Sequence, residues 1–201
     1  MDPIGLIRDT IAEHQRVLLQ LDRELHVLGQ ICDVFVHTLH SGNKILLCGN
    51  GGSAADAQHI AAELIGRFIV TRPGLPAIAL TTDTSILTAI SNDFGYDEVF
   101  ARQVQALGRP GDLLVGISTS GNSPGIVRAF KMAQAQKMKT VGFTGEGGGK
   151  LAGMADLLFA VPSRVTARVQ EVHIMAGHIL CDWVDRDWVA KDSVSRNMEE
   201  L

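Results

Sequence analysis

From Lys44 onward the chain alternates between two kinds of segment, and this alternation decides the fold. Five short apolar runs occupy residues 45–48, 77–80, 113–117, 140–143 and 157–161, each separated from the next by a stretch of helical periodicity. Runs so short and so continuously apolar make strands buried on both faces, and strands that alternate with helices pair in parallel. The expected fold class is α/β, a five-stranded parallel sheet flanked by helices. Turn residues separate the elements: Ser41-Gly42-Asn43, Arg72-Pro73-Gly74-Leu75-Pro76, Arg109-Pro110-Gly111-Asp112 and the glycines of 145–149. A chain of 201 residues holds one such domain with a full core.

The sheet is preceded by helical sequence. Residues 3–27 carry Ile4, Ile7, Ile11, His14, Leu18, Leu21 and Leu25 at spacings of three and four, which predicts one long amphipathic helix. A second helix is expected over 27–39, with Leu28, Ile31, Cys32, Phe35 and Val36, and a last one over 164–189. The simplest division gives residues 1–42 to an N-terminal helical extension and residues 43–201 to the sheet domain. The extension either covers the sheet or pairs with another copy of the chain, and pattern alone does not choose.

Charge and cysteine usage exclude several classes. A net charge of −4 with no Lys/Arg block argues against a nucleic-acid partner. No segment approaches the ~20 apolar residues of a membrane span, and no basic-then-apolar leader is found at the start. The three cysteines, Cys32, Cys48 and Cys181, form no C-x-x-C pair and fit buried thiols in a reducing compartment, so a soluble cytoplasmic protein is expected.

Two strand-to-helix turns carry the chemistry. The first is Cys48-Gly49-Asn50-Gly51-Gly52-Ser53-Ala54-Ala55-Asp56, with Ser53 as the expected N-cap and Asp56 three residues on. The second is Ser118-Thr119-Ser120-Gly121-Asn122-Ser123-Pro124, with Ser123 as N-cap and Pro124 at the first helical position. Each turn aims free backbone N–H groups and a helix N-terminus at whatever lies above it, which suits a phosphate. Gly49-x-Gly51-x-x-Ala54 also meets the loose dinucleotide fingerprint, but no acidic residue follows about twenty positions on, and there is no P-loop.

Beside the first turn, His59 and Glu63 are four residues apart, about 400° of helix, and share a face. They either bind a metal together or form a polar pair in which one orients the other. At the end of the second strand, Asp83 caps the next helix or meets a sugar hydroxyl. Asn92 and Asp93 also lie towards the carboxyl end of the sheet, where ligands of parallel sheets sit. On the last helix, His173 and His178 diverge by roughly 500°, and Gln170 and His178 are separated by about 80° and ~12 Å of rise. Geometry at this level does not choose between the two histidines.

These stretches, together with Asn92-Asp93-Phe94-Gly95 and Ala167-Arg168-Val169-Gln170-Glu171-Val172-His173-Ile174-Met175-Ala176-Gly177-His178, resemble the phosphoheptose isomerases of the SIS-domain superfamily from Lys44 to Val184. The resemblance implies a flavodoxin-like sheet and a homotetramer with active sites at subunit contacts, built on the N-terminal helices and the last helix. It implies one Zn2+ per subunit on His59, Glu63, Gln170 and His178, with Glu63 and His178 as catalytic base and acid. The implied substrate-binding set is Asn50, Gly51, Gly52, Asn92, Asp93, Ser118, Thr119, Ser120, Ser123 and Gln170, and Ser53, Glu63 and Asp83 join it as candidates from their own positions. The implied reaction is the aldose–ketose interconversion of sedoheptulose 7-phosphate and D-glycero-D-manno-heptose 7-phosphate. Related SIS proteins that bind the bacterial replication initiator share both turns but lack the acid at Glu63 and the histidine at His178. This chain carries both, which favours the enzyme over the adaptor.

Overall fold

The computed structural model describes residues 2–199. Helices α1 (Pro3–Leu18) and α2 (Leu25–His40) come first. Then follow β1 (Ile45–Gly49), α3 (Gly52–Ile65), β2 (Ala77–Ala79), α4 (Thr84–Phe94), α5 (Val99–Leu107), β3 (Leu113–Ile117), α6 (Pro124–Ala135), β4 (Lys139–Thr144), β5 (Leu157–Ala160) and α7 (Thr166–Glu199). The five strands form one parallel sheet, as the apolar runs predict, and stand in the order β2-β1-β3-β4-β5. This is the flavodoxin-like order, and its switch point lies between β1 and β3, where the chain leaves the sheet in opposite directions. The two ligand-type turns follow those two strands, so they flank the crevice that the topology opens.

Alternate residues of each strand face opposite layers. Ile45, Leu47, Val115 and Phe143 pack with α2, α3 and α7, while Leu46, Cys48 and Leu114 pack with Ile126 and Phe130 of α6 and Val104 of α5. The three cysteines are buried and unpaired. Among the described residues no helix is long and apolar enough to cross a membrane.

The single helix expected over 3–27 is two helices joined by a 3-10 turn at Leu21–Arg23. Val17, Leu21 and Leu28 are all buried and keep helical spacing through the break, so periodicity carries no sign of it. The chain bends there to lay α2 on the sheet. Ile4, Ile7, Ile11 and Leu25 of the expected apolar stripe remain more than half exposed. Helix α1 instead meets α7 through polar groups: Arg168 donates to the Thr10 carbonyl at 3.0 Å, and His14 lies 2.7 Å from Glu171.

Helices α3 and α7 run side by side in the same direction. Gly52 lies against the Gln170 amide, Ile60 against Gly177 and His59 against His178. The approach is close because Gly177 has no side chain: a Cβ there would stand 2.8 Å from Ile60 Cδ1. Gly177→Leu should therefore wedge the two helices apart and destabilise the protein by about 1–3 kcal/mol. Urea denaturation should show the loss, and Ile60→Ala in the same chain should recover part of it.

Candidate active site

The first turn is tighter than its sequence predicts. Gly51, at φ +56°, is the N-cap of α3, and the helix begins at Gly52 rather than after Ser53. The left-handed backbone at Gly51 starts the helix early, which places Ser53 inside it and buries it to 3% exposure. The second turn matches its expectation in position: Ser123 precedes α6 and Pro124 opens it. The Ser123 hydroxyl, however, makes no capping bond and accepts from Asn50 Nδ2 at 2.9 Å. This bond ties the two turns together across the crevice.

Around the second turn, Ser118 is buried, Thr119 half-buried and Ser120 exposed. The Thr119 carbonyl accepts from Gly145 N at 2.9 Å, and the Ser120 hydroxyl accepts from Asn122 N at 3.2 Å. Asp83 caps α4, accepting from Ile86 N at 2.9 Å. Asn92 and Asp93 are exposed at the end of α4 and joined by a 2.9 Å bond from Asn92 Nδ2 to Asp93 Oδ1.

The titratable centre forms where α3 meets α7. His59 Nε2 is 2.9 Å from His178 Nε2 and 3.4 Å from Glu63 Oε1. One imidazole nitrogen thus has both the carboxylate and the second imidazole beside it. The His178 ring also stacks on Phe68, with centroids 5.4 Å apart. Gln170 packs against Gly52, seven residues before His59 on α3, or about 10 Å of helix rise. The structure therefore brings His59, Glu63 and His178 together and sets Gln170 beside the first turn.

His173 and His178 have different surroundings. His173 is fully buried beside Phe143, and its Nε2 donates to the Thr144 carbonyl at 3.0 Å. That bond leaves Nδ1 as the bare nitrogen, which has no partner among the described residues. Burial lowers the His173 pKa to about 4, against the opposing pull of the Thr144 carbonyl. Asp56, on the first turn of α3, moves the other way. Burial raises its carboxyl to about 6 despite the attraction of His59.

A buried ion pair ties the segment after α3 to the middle of α7. Arg72 Nε donates to Asp185 Oδ1 at 2.6 Å, and both side chains are shielded from solvent. Asp185 Oδ2 also accepts from Ile69 N and Val70 N at 2.8 and 2.9 Å. Burial alone would push the Asp185 carboxyl up, but the Val70 and Ile69 amides and Arg72 outweigh it and hold it below the usual carboxylate range. Arg72 reaches the last turn of α3 as well, donating to the carbonyls of Glu63 at 3.0 Å and Leu64 at 2.8 Å. Arg72, Asp185 and Phe68 lie at the site and are residues that the sequence reading does not single out. The Arg72-Pro73 turn signal was the one local hint.

A five-stranded sheet of this order, with helix N-termini at its switch point and a histidine–carboxylate group beside them, is a ligand-binding type of α/β domain. The SIS domain family matches residues 11–145. The phosphoheptose isomerase of Burkholderia pseudomallei (strain 1710b) is 54% identical over 175 residues, 86% of this chain and 89% of that one. That of Roseiflexus sp. (strain RS-1) is 60% identical over 158 residues, covering 79% and 80%. The solved phosphoheptose isomerase of Neisseria gonorrhoeae superposes with a TM-score of 0.87 at 46% identity, covering 92% of this chain and 100% of that one. The chain belongs to the phosphoheptose isomerase family and is an isomerase.

The sign of the His173 shift makes a prediction. The buried ring resists protonation, while the unfolded one takes a proton near its ordinary value of 6.5. The stability it contributes is complete above that value and is lost as the pH falls towards 4. Asp56 works the other way over the same window, because its raised carboxyl is relieved of charge as the pH falls. The His173 contribution is therefore read as the unfolding free energy of the wild type minus that of His173→Asn, from urea denaturation at each pH, and this difference should shrink by up to roughly 3 kcal/mol between pH 7 and pH 4.

Proposed function

We propose that this isomerase interconverts sedoheptulose 7-phosphate and D-glycero-D-manno-heptose 7-phosphate through an enediolate. The observation that carries the reading is the meeting of His178 and Glu63 at one His59 nitrogen, beside two turns rich in backbone donors. The phosphate is held by the N-terminus of α6 with Ser118, Thr119, Ser120 and Ser123. The sugar hydroxyls meet Asn50, Asn92, Asp93 and the first turn. A dianion needs no lysine at such a helix end.

With the phosphate anchored, the carbonyl end lies over α3 and α7. Glu63 takes the proton from the carbon next to the carbonyl and returns it to the former carbonyl carbon. His178 passes a proton between the two neighbouring oxygens, so the carbonyl moves by one carbon and no atom is gained or lost. Stacking on Phe68 fixes the plane of the His178 ring for this transfer. Membership of an isomerase family answers the alternative of a non-catalytic adaptor.

Zinc on His59, Glu63, Gln170 and His178 is part of the proposal. Two imidazoles, a carboxylate and an amide suit zinc in donor type. Among the described residues, no group of three or more His, Cys, Asp or Glu side chains is arranged to hold a metal ion as it stands. The two imidazole nitrogens, 2.9 Å apart, are closer than the about 3.3 Å that separates ligands on a tetrahedral zinc. Binding therefore requires the rings to part by a few tenths of an ångström and Gln170 to swing towards them. When bound, the ion supplies Lewis-acid polarisation of the substrate oxygens. The exposed Ile4, Ile7 and Ile11 of α1 support a homotetramer, and the unpaired cysteines support a cytoplasmic location.

Incubation with sedoheptulose 7-phosphate followed by product analysis tests the reaction. Glu63→Gln keeps the shape and removes the base, so kcat should fall by at least ~10²-fold while substrate still binds. A near-normal rate in this variant rejects the role of Glu63. Chelation should lower turnover, and added Zn2+ should restore it. Full turnover of protein shown to be metal-free by elemental analysis rejects zinc.

A further inference from the structure

One ordered polar chain at the site starts from a residue that none of the above assigns. Tyr96 Oη donates to Asn50 Oδ1 at 2.8 Å, and Asn50 Nδ2 donates to Ser123 Oγ at 2.9 Å. Three segments meet in it: the short turn after α4, the first ligand-type turn and the second. Tyr96 opens the 3-10 turn Tyr96–Glu98, directly after Gly95. Arg128 of α6 pairs with Glu98 and lies 3.7 Å from Asp97, so this turn is fastened to the helix that Ser123 begins. Tyr96 is thus held in place relative to the second turn while its hydroxyl reaches the first.

We propose that Tyr96 is a positioning residue that sets the direction of this chain and thereby frees the Ser123 proton for the substrate's phosphate. The proposal rests on the reading of the second turn as the phosphate anchor. An asparagine amide has a donor end and an acceptor end, and the two fit a site equally well in shape. Both hydroxyls can donate or accept, but a phenol is more acidic than an alkyl hydroxyl and so the better donor and poorer acceptor; Tyr96 therefore takes Oδ1 and turns the NH2 end towards Ser123. Ser123 Oγ then receives a hydrogen bond and makes none to the helix backbone. Its own O–H is left to point at a further acceptor, and a phosphate oxygen is the acceptor the turn is built for. With the amide reversed, Ser123 would donate to Oδ1 and its proton would be consumed inside the protein. Bonds that run in one direction also polarise each other, so the terminal hydroxyl becomes a better donor.

Tyr96 is 54% exposed, so removing its hydroxyl takes nothing from the core. Initial-rate kinetics with sedoheptulose 7-phosphate, and inhibition by inorganic phosphate, read the effect. Tyr96→Phe should raise KM and the phosphate Ki together by about three- to tenfold, with kcat changed less than about twofold and Tm unchanged. In a Ser123→Ala background the same substitution should add less than about twofold, because the two residues act through one chain. If Ser123→Ala leaves KM and Ki unchanged, the phosphate anchor is wrong and the proposal falls with it. If Ser123→Ala raises both and Tyr96→Phe raises neither, the anchor stands and the role of Tyr96 is overturned. Fully additive effects, or a fall in Tm with no change in Ki, overturn it too.

Discussion

The site depends on the alignment of α3 with α7. Neither helix carries a complete set of reactive groups: His59 and Glu63 lie on one, His178 on the other. They meet because the helices run in parallel at a separation set by Gly177 against Ile60 and at a register set by Arg72 and Asp185. A buried ion pair is a weak source of net stability, since desolvation offsets most of its attraction. Its value here is directional. Asp185 accepts three donors and Arg72 reaches the terminal carbonyls of α3, so a shift of either helix along its axis breaks several bonds together. An apolar contact would permit such a slide at little cost.

The two halves of the site use different parts of the fold. In the proposed reaction, anion binding falls to the turns after β1 and β3, where the topology opens a crevice at two helix N-termini. Proton transfer falls to the α3–α7 contact, further along the same helix that starts in the first turn. One helix therefore links both parts of the proposed site: its N-terminus lies at one and His59 and Glu63 at the other. The distance between them is fixed by helix rise alone, which is a stiffer ruler than any loop.

The strands and the two turns were legible because their signals are local. Continuous apolar runs of four or five residues bounded by turn residues fit strands buried on both faces, and Pro124 after Ser123 marks a helix start directly. His59 with Glu63 was legible for the same reason, being four apart on one helix. The pairing of His59 with His178, 119 positions away, was not, because it exists only through the packing of α3 on α7. The break between α1 and α2 was hidden by an unbroken apolar period, and Tyr96 by the 46 residues that separate it from Asn50. The Ser53 cap failed for a different reason. A good capping residue stood two positions after a glycine free to adopt positive φ, and the glycine ended the turn first.

His173 and His178 show how far residue type alone goes. They share a helix and are five residues apart, so the helix turns them to different faces. His173 points under the sheet, where apolar neighbours and the Thr144 carbonyl keep it neutral and the ring holds the end of β4 in place. The next residue of the sheet edge, Gly145, braces the Thr119 carbonyl of the second turn. His178 points along α3 to His59, where protons can be exchanged. One histidine thus supports the wall behind the second turn, and the other faces the groups proposed for catalysis. The resemblance implies catalysis at His178, and the neighbours of each ring support that proposal; those neighbours come from strands and helices far away in the chain.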